Sequence, residues 1–408
     1  MDKYGGLFMG GGRMKPREIT SGVYFLGVPH WNRRLFDNLI PLPEGTSYNA
    51  YLIKATGGTV LVDTVEPAVS QVLFQQLRDL KVDHIDYIVS NHAEQDHSGA
   101  IPQVLERFPK AQMLCSDKAK DLLVTHLHVP EDKVRVMKDG ERLSLGDRTL
   151  RFVYTPWVHW PETMVTFLEE ERILFSCDFF GSHLASYSMY ASSEPQLEVA
   201  SKRYYAEIMA PFRGVIKKNI EKVESLKPQI IAPSHGPIHD DPQRIMTLYK
   251  KWIDDKPTNL VLVVYVTMHG SVETAVDHFC DALTSLSVPV KRFDLTVSDV
   301  GELAMTLVDA ATVVVAAPTV LTGLHPLAVS AAYLINAFRP KAIAATGIIS
   351  YGWGTKAPQQ LEQLMANLKS GWIDPVVFKG LPDRESFESL TNLARKIKQI
   401  HERAEIGN

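Results

Sequence analysis

The stretch Asn91-His-Ala-Glu-Gln-Asp-His-Ser-Gly-Ala100 places His92, Glu94, Asp96 and His97 within six residues. It follows the strand-like run Asp86-Tyr-Ile-Val-Ser90 and precedes a helix-like run that begins near Gly99. In an extended or tightly turned segment after a strand, His92 and Glu94 point to one side, and Asp96 and His97 come round as the chain enters its helix. Four potential ligands then converge without long-range help, which a metal requires and a solvated loop does not. Taken singly, His92 or His97 reads more readily as a capping or surface histidine.

Three further segments repeat the pattern of a ligand-type side chain at the tip of an apolar strand. TPWVHWP carries His159, ILFSCDFFG carries Asp178, and IIAPSHGP carries His235. Each has a bland reading alone: His159 as a packed histidine beside Trp157 and Trp160, Asp178 as a turn or helix cap, His235 as either. Added to the first cluster they make four histidines, two aspartates and one glutamate. Seven ligands exceed one tetrahedral ion and suit two ions that share a carboxylate. Mixed imidazole and carboxylate ligation without thiolate fits iron, manganese or zinc. Cys177 reads as a small core residue, because strand alternation turns its side chain away from that of Asp178. His183 and His30 are weaker candidates for supporting positions near the site.

Composition narrows the class. The chain has 408 residues, enough for two or three domains. Lys plus Arg number 43 and Asp plus Glu 47, so the formal charge is 43 minus 47, or -4. That balance argues against a nucleic-acid or anionic-membrane surface as the main function. Cys115, Cys177 and Cys280 are single and far apart, which suggests neither a disulfide framework nor a cysteine-based metal site and fits a reducing interior. With no signal-type apolar core and no membrane-length apolar run, the expectation is a cytoplasmic protein. The glycine-rich GGLFMGGG near the start reads as a flexible arm, since no strand precedes it and no GK[ST] follows.

Two styles of alternation divide the chain. From Gly22 short strands dominate (VYFLGV, Tyr48 to Ile53, TVLVDT, the hairpin-like 142–156, the pair within 163–178, and Gln229 to His235), with helical stretches between them, one interrupted near Pro211. This predicts two packed sheets covered by helices. Near Lys251-Trp-Ile-Asp-Asp-Lys-Pro-Thr258 the character changes to five regular strand and helix pairs, the signature of an open parallel α/β domain. The expected division is an arm at 1–21, a metal domain at 22–254 and a parallel α/β domain at 255–408.

In the second domain, Tyr265-Val-Thr-Met-His-Gly-Ser-Val-Glu273 joins the first strand to its helix. Small hydroxylated and glycine residues there suit a phosphate. The GxGxxG and GK[ST] patterns are missing, which disfavours a dinucleotide or nucleoside triphosphate and leaves a flavin's phosphate monoester as a good fit. Two later strand ends, AAPTVLTG at 316–323 and SYGWGTK at 350–356, can flank a planar isoalloxazine ring; each alone reads equally well as a turn.

With these residues in view, 22–250 resembles the metallo-β-lactamase fold and 258–400 resembles flavodoxin, a combination similar to the flavodiiron proteins, or A-type flavoproteins. The fold this implies is α/β: a metallo-β-lactamase-like αββα sandwich followed by a flavodoxin-like parallel α/β domain. The lactamase motif H-x-H-x-D-H stands here as His92-Ala-Glu94-Gln-Asp96-His97, and glutamate in place of the second histidine marks that family's diiron site. The resemblance implies two irons, one on His92, Glu94 and His159, the other on Asp96, His97 and His235, bridged by Asp178. It implies FMN held by Thr267, Met268, His269, Gly270, Ser271 and Val272 at the phosphate, and by Pro318, Thr319, Val320, Leu321, Gly323, Ser350, Tyr351, Gly352, Trp353 and Gly354 around the ring. The loop departs from the usual T-x-T-G-N-T at Ser271 and Val272.

The implied activity is reduction of dioxygen to water, nitric oxide to nitrous oxide, or both, with dioxygen slightly preferred. Electrons would come from an external donor: rubredoxin, a reductase or a reduced deazaflavin coenzyme. A head-to-tail homodimer, or a dimer of dimers forming a tetramer, is implied as well. The rival readings are a zinc hydrolase with a redox-silent flavodoxin domain, opposed by Glu94 and the flavin loops, and an electron carrier or sensor.

Overall fold

Strand alternation sorts the first half of the chain into two faces. In β3 (Thr46–Ala55), Tyr51 and Ile53 enter one apolar cluster while Ala50 and Leu52 enter another. The computed structural model describes residues 14–406, so the glycine-rich stretch at 5–12 lies outside the described residues. Around β3 a seven-stranded sheet runs in chain order: β1 (Arg17–Thr20), β2 (Val23–His30), β3, β4 (Gly58–Val62), β5 (Tyr87–Val89), β6 (Gln112–Cys115) and β7 (Val134–Val136). Pairing is antiparallel from β1 to β4 and parallel from β4 to β7. A five-stranded sheet follows: β8 (Arg142–Ser144), β9 (Thr149–Tyr154), β10 (Met164–Leu168), β11 (Ile173–Cys177) and β12 (Ile230–Pro233), with only the last pair parallel.

Phe25, Tyr51, Val60 and Val62 of the first sheet share one cluster with Leu150, Phe152, Met164 and Phe175 of the second, so the central core lies between the sheets. The first sheet's other face packs Leu26, Leu52, Leu61 and Ile88 against α1 (Ser70–Asp79), α3 (Ile101–Arg107) and α4 (Asp117–Leu127) through Leu73, Leu77, Ile101, Val104 and Leu123. The one-turn helix α2 (Gln95–Ser98) immediately precedes α3. Further on, α5 (Leu197–Tyr204) passes through a π turn and a 3-10 turn containing Pro211 before α6 (Arg213–Leu226), so the interruption falls at the proline that cannot continue the helical ladder. Two hydrogen bonds tie α6 beside β9, from Lys222 Nζ to Tyr154 O and from Asn219 Nδ2 to Pro156 O. The layers are helix, sheet, sheet, helix, as expected.

Part of the expected arm is a strand. Arg17–Thr20 pairs with β2 through a turn at Gly22, whose φ of +76° suits glycine and whose Cβ, if present, would lie 2.8 Å from Lys54 O. No apolar alternation in REIT signals this edge position.

After α7 (Pro242–Ile253) come β13 (Thr258–Tyr265), β14 (Val290–Asp294), β15 (Ala310–Val320), β16 (Ala344–Tyr351) and β17 (Val376–Lys379). All pairs are parallel in the order β14-β13-β15-β16-β17, the 2-1-3-4-5 arrangement of flavodoxin-like sheets. The connecting helices are α8 (Ser271–Ser285), α9 (Val300–Leu307), α10 (Pro326–Ala337) and α11 (Ala357–Leu364), with α12 (Arg384–Arg403) closing the unit. Contacts divide the chain into two compact units: residues up to Phe36 with Leu42–Tyr204 and Gly214–Tyr249, and Asp37–Pro41 with Tyr205–Arg213 and everything from Lys250. Among the described residues no helix is long and apolar enough to cross a membrane.

Candidate metal centre and flavin cavity

The HAEQDH segment leaves β5 extended and turns at Glu94 (φ -63°, ψ 143°) into α2, so His92 and Glu94 precede the turn while Asp96 and His97 belong to it. Two groups result. Ligand-type atoms of His92, Glu94, His159 and Asp178 lie within 4.8 Å of one another, as do those of Asp96, His97 and His235. The two oxygens of Asp178 divide between them. Oδ2 lies 3.3 Å from His92 Nε2 and 3.5 Å from His159 Nε2, while Oδ1 lies 2.9 Å from His97 Nε2 and 3.4 Å from His235 Nε2. Glu94 Oε2 stands 3.1 Å from the Nε2 atoms of both His92 and His159, and Asp96 answers His97 at 3.3 Å and His235 at 3.2 Å. All seven residues singled out in the sequence thus meet at one place.

Their environment is what a pair of cations would satisfy. Both carboxylate oxygens of Asp96, Oδ2 of Asp178 and both ring nitrogens of His97 are buried without a hydrogen-bond partner among the described residues. Buried polar atoms left without a hydrogen bond are costly unless an ion completes them. Burial alone would lower the imidazole pKa values, yet neighbouring carboxylates win: His159 rises to about 9 through Asp178 and Glu94, and His235 to about 10 through Asp178 and Asp96. Burial would likewise raise Glu94 and Asp178, but the surrounding histidines hold both well below the usual carboxylate range. The residues therefore fit two metals, one facing His92, Glu94 and His159, the other Asp96, His97 and His235, with Asp178 offering an oxygen to each.

A supporting layer fixes the ligands. His92 Nδ1 donates to Glu162 Oε1 at 2.6 Å, and His235 Nδ1 donates to Ser47 O at 2.7 Å, which leaves Nε2 of each ring for a metal. Tyr204 donates to Asp178 Oδ1 at 2.7 Å. Asp63 accepts from Asn91 N and Nδ2 at 2.8 and 2.9 Å and so pins the start of the ligand segment. The sequence reading passed over Glu162, Asp63, Asn91 and Tyr204. Asp63 had a usable signal, since it tips the apolar strand TVLV as Asp178 tips ILFSC, and Asn91 stands inside the opening stretch beside His92; Glu162 and Tyr204 act from afar and had none.

One expectation is corrected. Cys177 does not turn away from the site: its Sγ lies within 4.8 Å of ligand atoms of His97 and Asp178. The cause is its φ of +51°, which breaks the strand alternation on which the expectation rested. His183 lies beside the second group, sharing a 3.0 Å hydrogen bond with Thr46 Oγ1 and facing the rings of His235 and Tyr204 at 5.2 and 4.8 Å. His30 packs 6.0 Å from Tyr48 and joins neither ligand group.

In the second unit a cavity of about 500 Å³ opens at the carboxyl ends of β13, β15 and β16. Of the expected flavin contacts, Met268, His269, Ser271, Pro318, Thr319, Leu321, Ser350, Tyr351, Gly352 and Trp353 line it. Thr322, Gly380 and Leu381, which the sequence reading did not include, line it too. Thr267, Gly270, Val320, Gly323 and Gly354 do not. Thr267 Oγ1 instead accepts from Gly270 N at 3.1 Å and shapes the loop, and Val272 is wholly buried in the core as the first inward residue of α8. The volume suits a planar ring system, and Gly270 N-caps α8 without a side-chain acceptor, leaving the helix start open to an anion.

Fold and site together define an α/β protein that joins a lactamase-type unit bearing two candidate metal-ligand groups to a flavodoxin-like unit. The family model described as ODP family beta lactamase matches residues 46–236. A nitric oxide reductase of Moorella thermoacetica is 33% identical over 94% of this chain and 98% of its own length. The solved rubredoxin oxygen:oxidoreductase of Desulfovibrio gigas superposes with a TM-score of 0.92 at 29% identity, covering 96% of this chain and all of that one. A flavo di-iron protein variant of Thermotoga maritima gives 0.83 at 26%, covering 94% and 98%. The chain belongs to the flavodiiron protein family and is an oxidoreductase.

Proposed function

We propose that this chain reduces dioxygen to water, nitric oxide to nitrous oxide, or both, at two irons held by the seven ligands, with FMN in the second unit's cavity. Dioxygen is the slightly favoured substrate. The observation that carries the reading is the division of Asp178's two oxygens between two histidine and carboxylate groups, one of which contains Glu94. When bound, the metals supply open positions for a diatomic molecule and the flavin supplies electrons in pairs. Dioxygen takes up four electrons and four protons to give two waters; two nitric oxide molecules take up two of each to give nitrous oxide and one water.

The chain's own residues prepare this chemistry. Glu162 and Ser47 O hold His92 and His235 by their Nδ1 atoms, and Tyr204 donates a hydrogen bond to Asp178 Oδ1 that restrains the shared carboxylate. The Trp160 ring packs nearly perpendicular to the His92 ring, with centroids 5.0 Å apart. In this reading residues 22–254 carry the metals and 255–408 the flavin. The family resemblance supports a head-to-tail homodimer or dimer of dimers, in which one subunit's flavin serves its partner's metals. It also supports an external electron donor such as rubredoxin, a reductase or a reduced deazaflavin coenzyme.

The test is metal and flavin analysis followed by anaerobic reduction and addition of each gas separately, with flavin absorbance followed in time. Two irons and one FMN per chain, with reoxidation by at least one gas, are expected. Zinc without iron, or a reduced protein inert to both gases, would overturn the proposal.

A further inference from the structure

The cavity of the second unit has a wall that none of the flavin-type loops supplies. Beyond β17, Gly380 and Leu381 line it together with Met268, Leu321 and Trp353. Leu381 is 70% exposed and Leu321 85%, and Met268 and Trp353 are open to water as well, so four large apolar side chains stand uncovered around one cavity. Such a cluster marks a surface that a ligand or a partner covers. The Gly380-Leu381 turn is firmly held. Gly380 N donates to Tyr351 O at 2.9 Å and Gly380 O accepts from Ser350 Oγ at 2.9 Å, which clamps the turn to the end of β16. Gly380 has a φ of +68°, and nothing lies within 4 Å of where its Cβ would be, so glycine is needed here for the backbone angle and not for space. On the other side of Leu381, Asp383 caps α12 by accepting from Ser386 N at 2.9 Å.

We propose that the Gly380-Leu381 turn is a further flavin-binding segment, in which Leu381 covers the isoalloxazine ring and Ser350 positions Leu381. The inference rests on the FMN site proposed above. Ser350 is buried at the end of β16, where it donates to Gly380 O and accepts from Ser271 Oγ at 3.3 Å. Ser271 begins α8 and belongs to the phosphate-type loop. One hydrogen-bond chain therefore joins the phosphate side of the cavity to the turn that carries Leu381. The lining is divided in kind as a flavin is, with Leu321, Trp353 and Leu381 suited to a planar ring, and Ser271, Thr319 and His269 to a polar tail. A flat contact with a second protein needs no cavity of about 500 Å³, whereas a ring system does.

The experiment uses the full chain with its metals in place and its flavin removed, and compares wild type with Leu381→Ala, Leu381→Met, Ser350→Ala and the Leu381→Ala, Ser350→Ala double variant. FMN and riboflavin are titrated by fluorescence quenching, with Tm and sedimentation velocity measured alongside. Leu381→Ala should raise the Kd of both flavins by about 3- to 10-fold, equally for the two because riboflavin has the ring without the phosphate, and should leave Tm and self-association unchanged. Leu381→Met should restore most of the affinity. Ser350→Ala should weaken both flavins by at least about threefold, and the double variant should bind within about twofold of Leu381→Ala, since Ser350 acts through Leu381. Wild-type Kd values in Leu381→Ala overturn the inference alone, and weakened self-association in their place assigns Leu381 to a contact between copies. A loss for FMN without one for riboflavin overturns the ring contact, and losses that multiply in the double variant overturn the positioning by Ser350. A wild-type chain that binds neither flavin overturns the functional reading itself.

Discussion

Replacing Glu162 by glutamine separates a ligand's orientation from its identity. Glu162 Oε1 accepts from His92 Nδ1 at 2.6 Å and from Ala93 N at 3.1 Å, in surroundings where His92 is wholly buried. Burial is the largest single influence and would raise the glutamate's pKa, but the hydrogen bond and charge of His92 together with the Ala93 N–H outweigh it and hold the group below an ordinary glutamate. A short charge-assisted bond of this kind makes Nε2 a stronger donor to a metal, and its loss typically costs about 10- to 100-fold in metal affinity, or about 1.4–2.8 kcal/mol. Glutamine keeps one acceptor oxygen but removes the charge. It also puts an amide N–H near the place of Oε2, which has no partner, and a buried unmatched donor costs about 1–3 kcal/mol.

The effect should be confined to one half of the centre. Among the seven ligands Glu162 bonds only His92, while His235 is held independently through Ser47 O. Glu162→Gln should lose one metal per chain to a chelator at least about tenfold faster than wild type, while the other metal leaves at the wild-type rate. Metal content after timed dialysis, with release followed by a chromophoric chelator, measures both phases. Two metals released as in wild type, or both released equally fast, would refute the assignment of Glu162 to the His92 half.

Glu94→His rebuilds the lactamase motif and removes one of three carboxylates, so the iron-to-zinc ratio after growth with both metals should fall at least about tenfold; an unchanged ratio sinks the role given to Glu94. His239, wholly buried and donating through Nε2 to Phe180 O at 2.8 Å, has its pKa pushed down by burial to about 4. Because the folded value lies below the unfolded one, its neutral form contributes stability that is present above about pH 6.5 and lost as pH falls toward 4, by up to about 3 kcal/mol. Denaturation of His239→Gln at pH 7 and pH 4.5 should show a shallower acid loss than wild type, and identical slopes would discount the histidine. Trp353 lines the cavity proposed for the flavin yet is 75% exposed. Trp353→Ala should change folding stability by less than about 0.5 kcal/mol while weakening FMN by about 3- to 10-fold in a fluorescence titration, and an unaltered Kd would remove it from the ring site.

Much of this molecule was legible because its signals are local. Each metal ligand stands at or just beyond the tip of an apolar strand or in the segment that follows it, and apolar alternation finds such tips. The open parallel α/β character of the second unit followed from five regular strand and helix pairs. What stayed hidden depends on residues far apart in sequence. Glu162 reaches His92 across 70 positions and Tyr204 reaches Asp178 across 26, and neither residue type signals a partner at that range. The family resemblance puts Val272 in the phosphate loop, at a position where the loop departs from the usual pattern, and the first buried turn of α8 claims its side chain.

The misreading of Cys177 points to a rule for this site. Three of its approaches leave their strands through a non-glycine residue in the left-handed region: Asp63 at φ 55°, Trp157 at 65° and Cys177 at 51°. Each such residue costs on the order of 1–2 kcal/mol, which packing and hydrogen bonds around it must offset. Asp63 does so with its bonds from Asn91, and Cys177 O accepts from Ser234 N at 2.8 Å, next to the ligand His235. The left-handed step reverses the side-chain alternation just where a ligand is needed, so Cys177 and Asp178 both face the ligand cluster instead of opposite sides of a sheet. Sequence periodicity can therefore say which strand tips bear ligands, but the direction of each one is set by a single backbone angle that periodicity does not carry. The division of the two Asp178 oxygens between the two ligand groups, on which the dinuclear reading depends, comes directly after that angle in the chain.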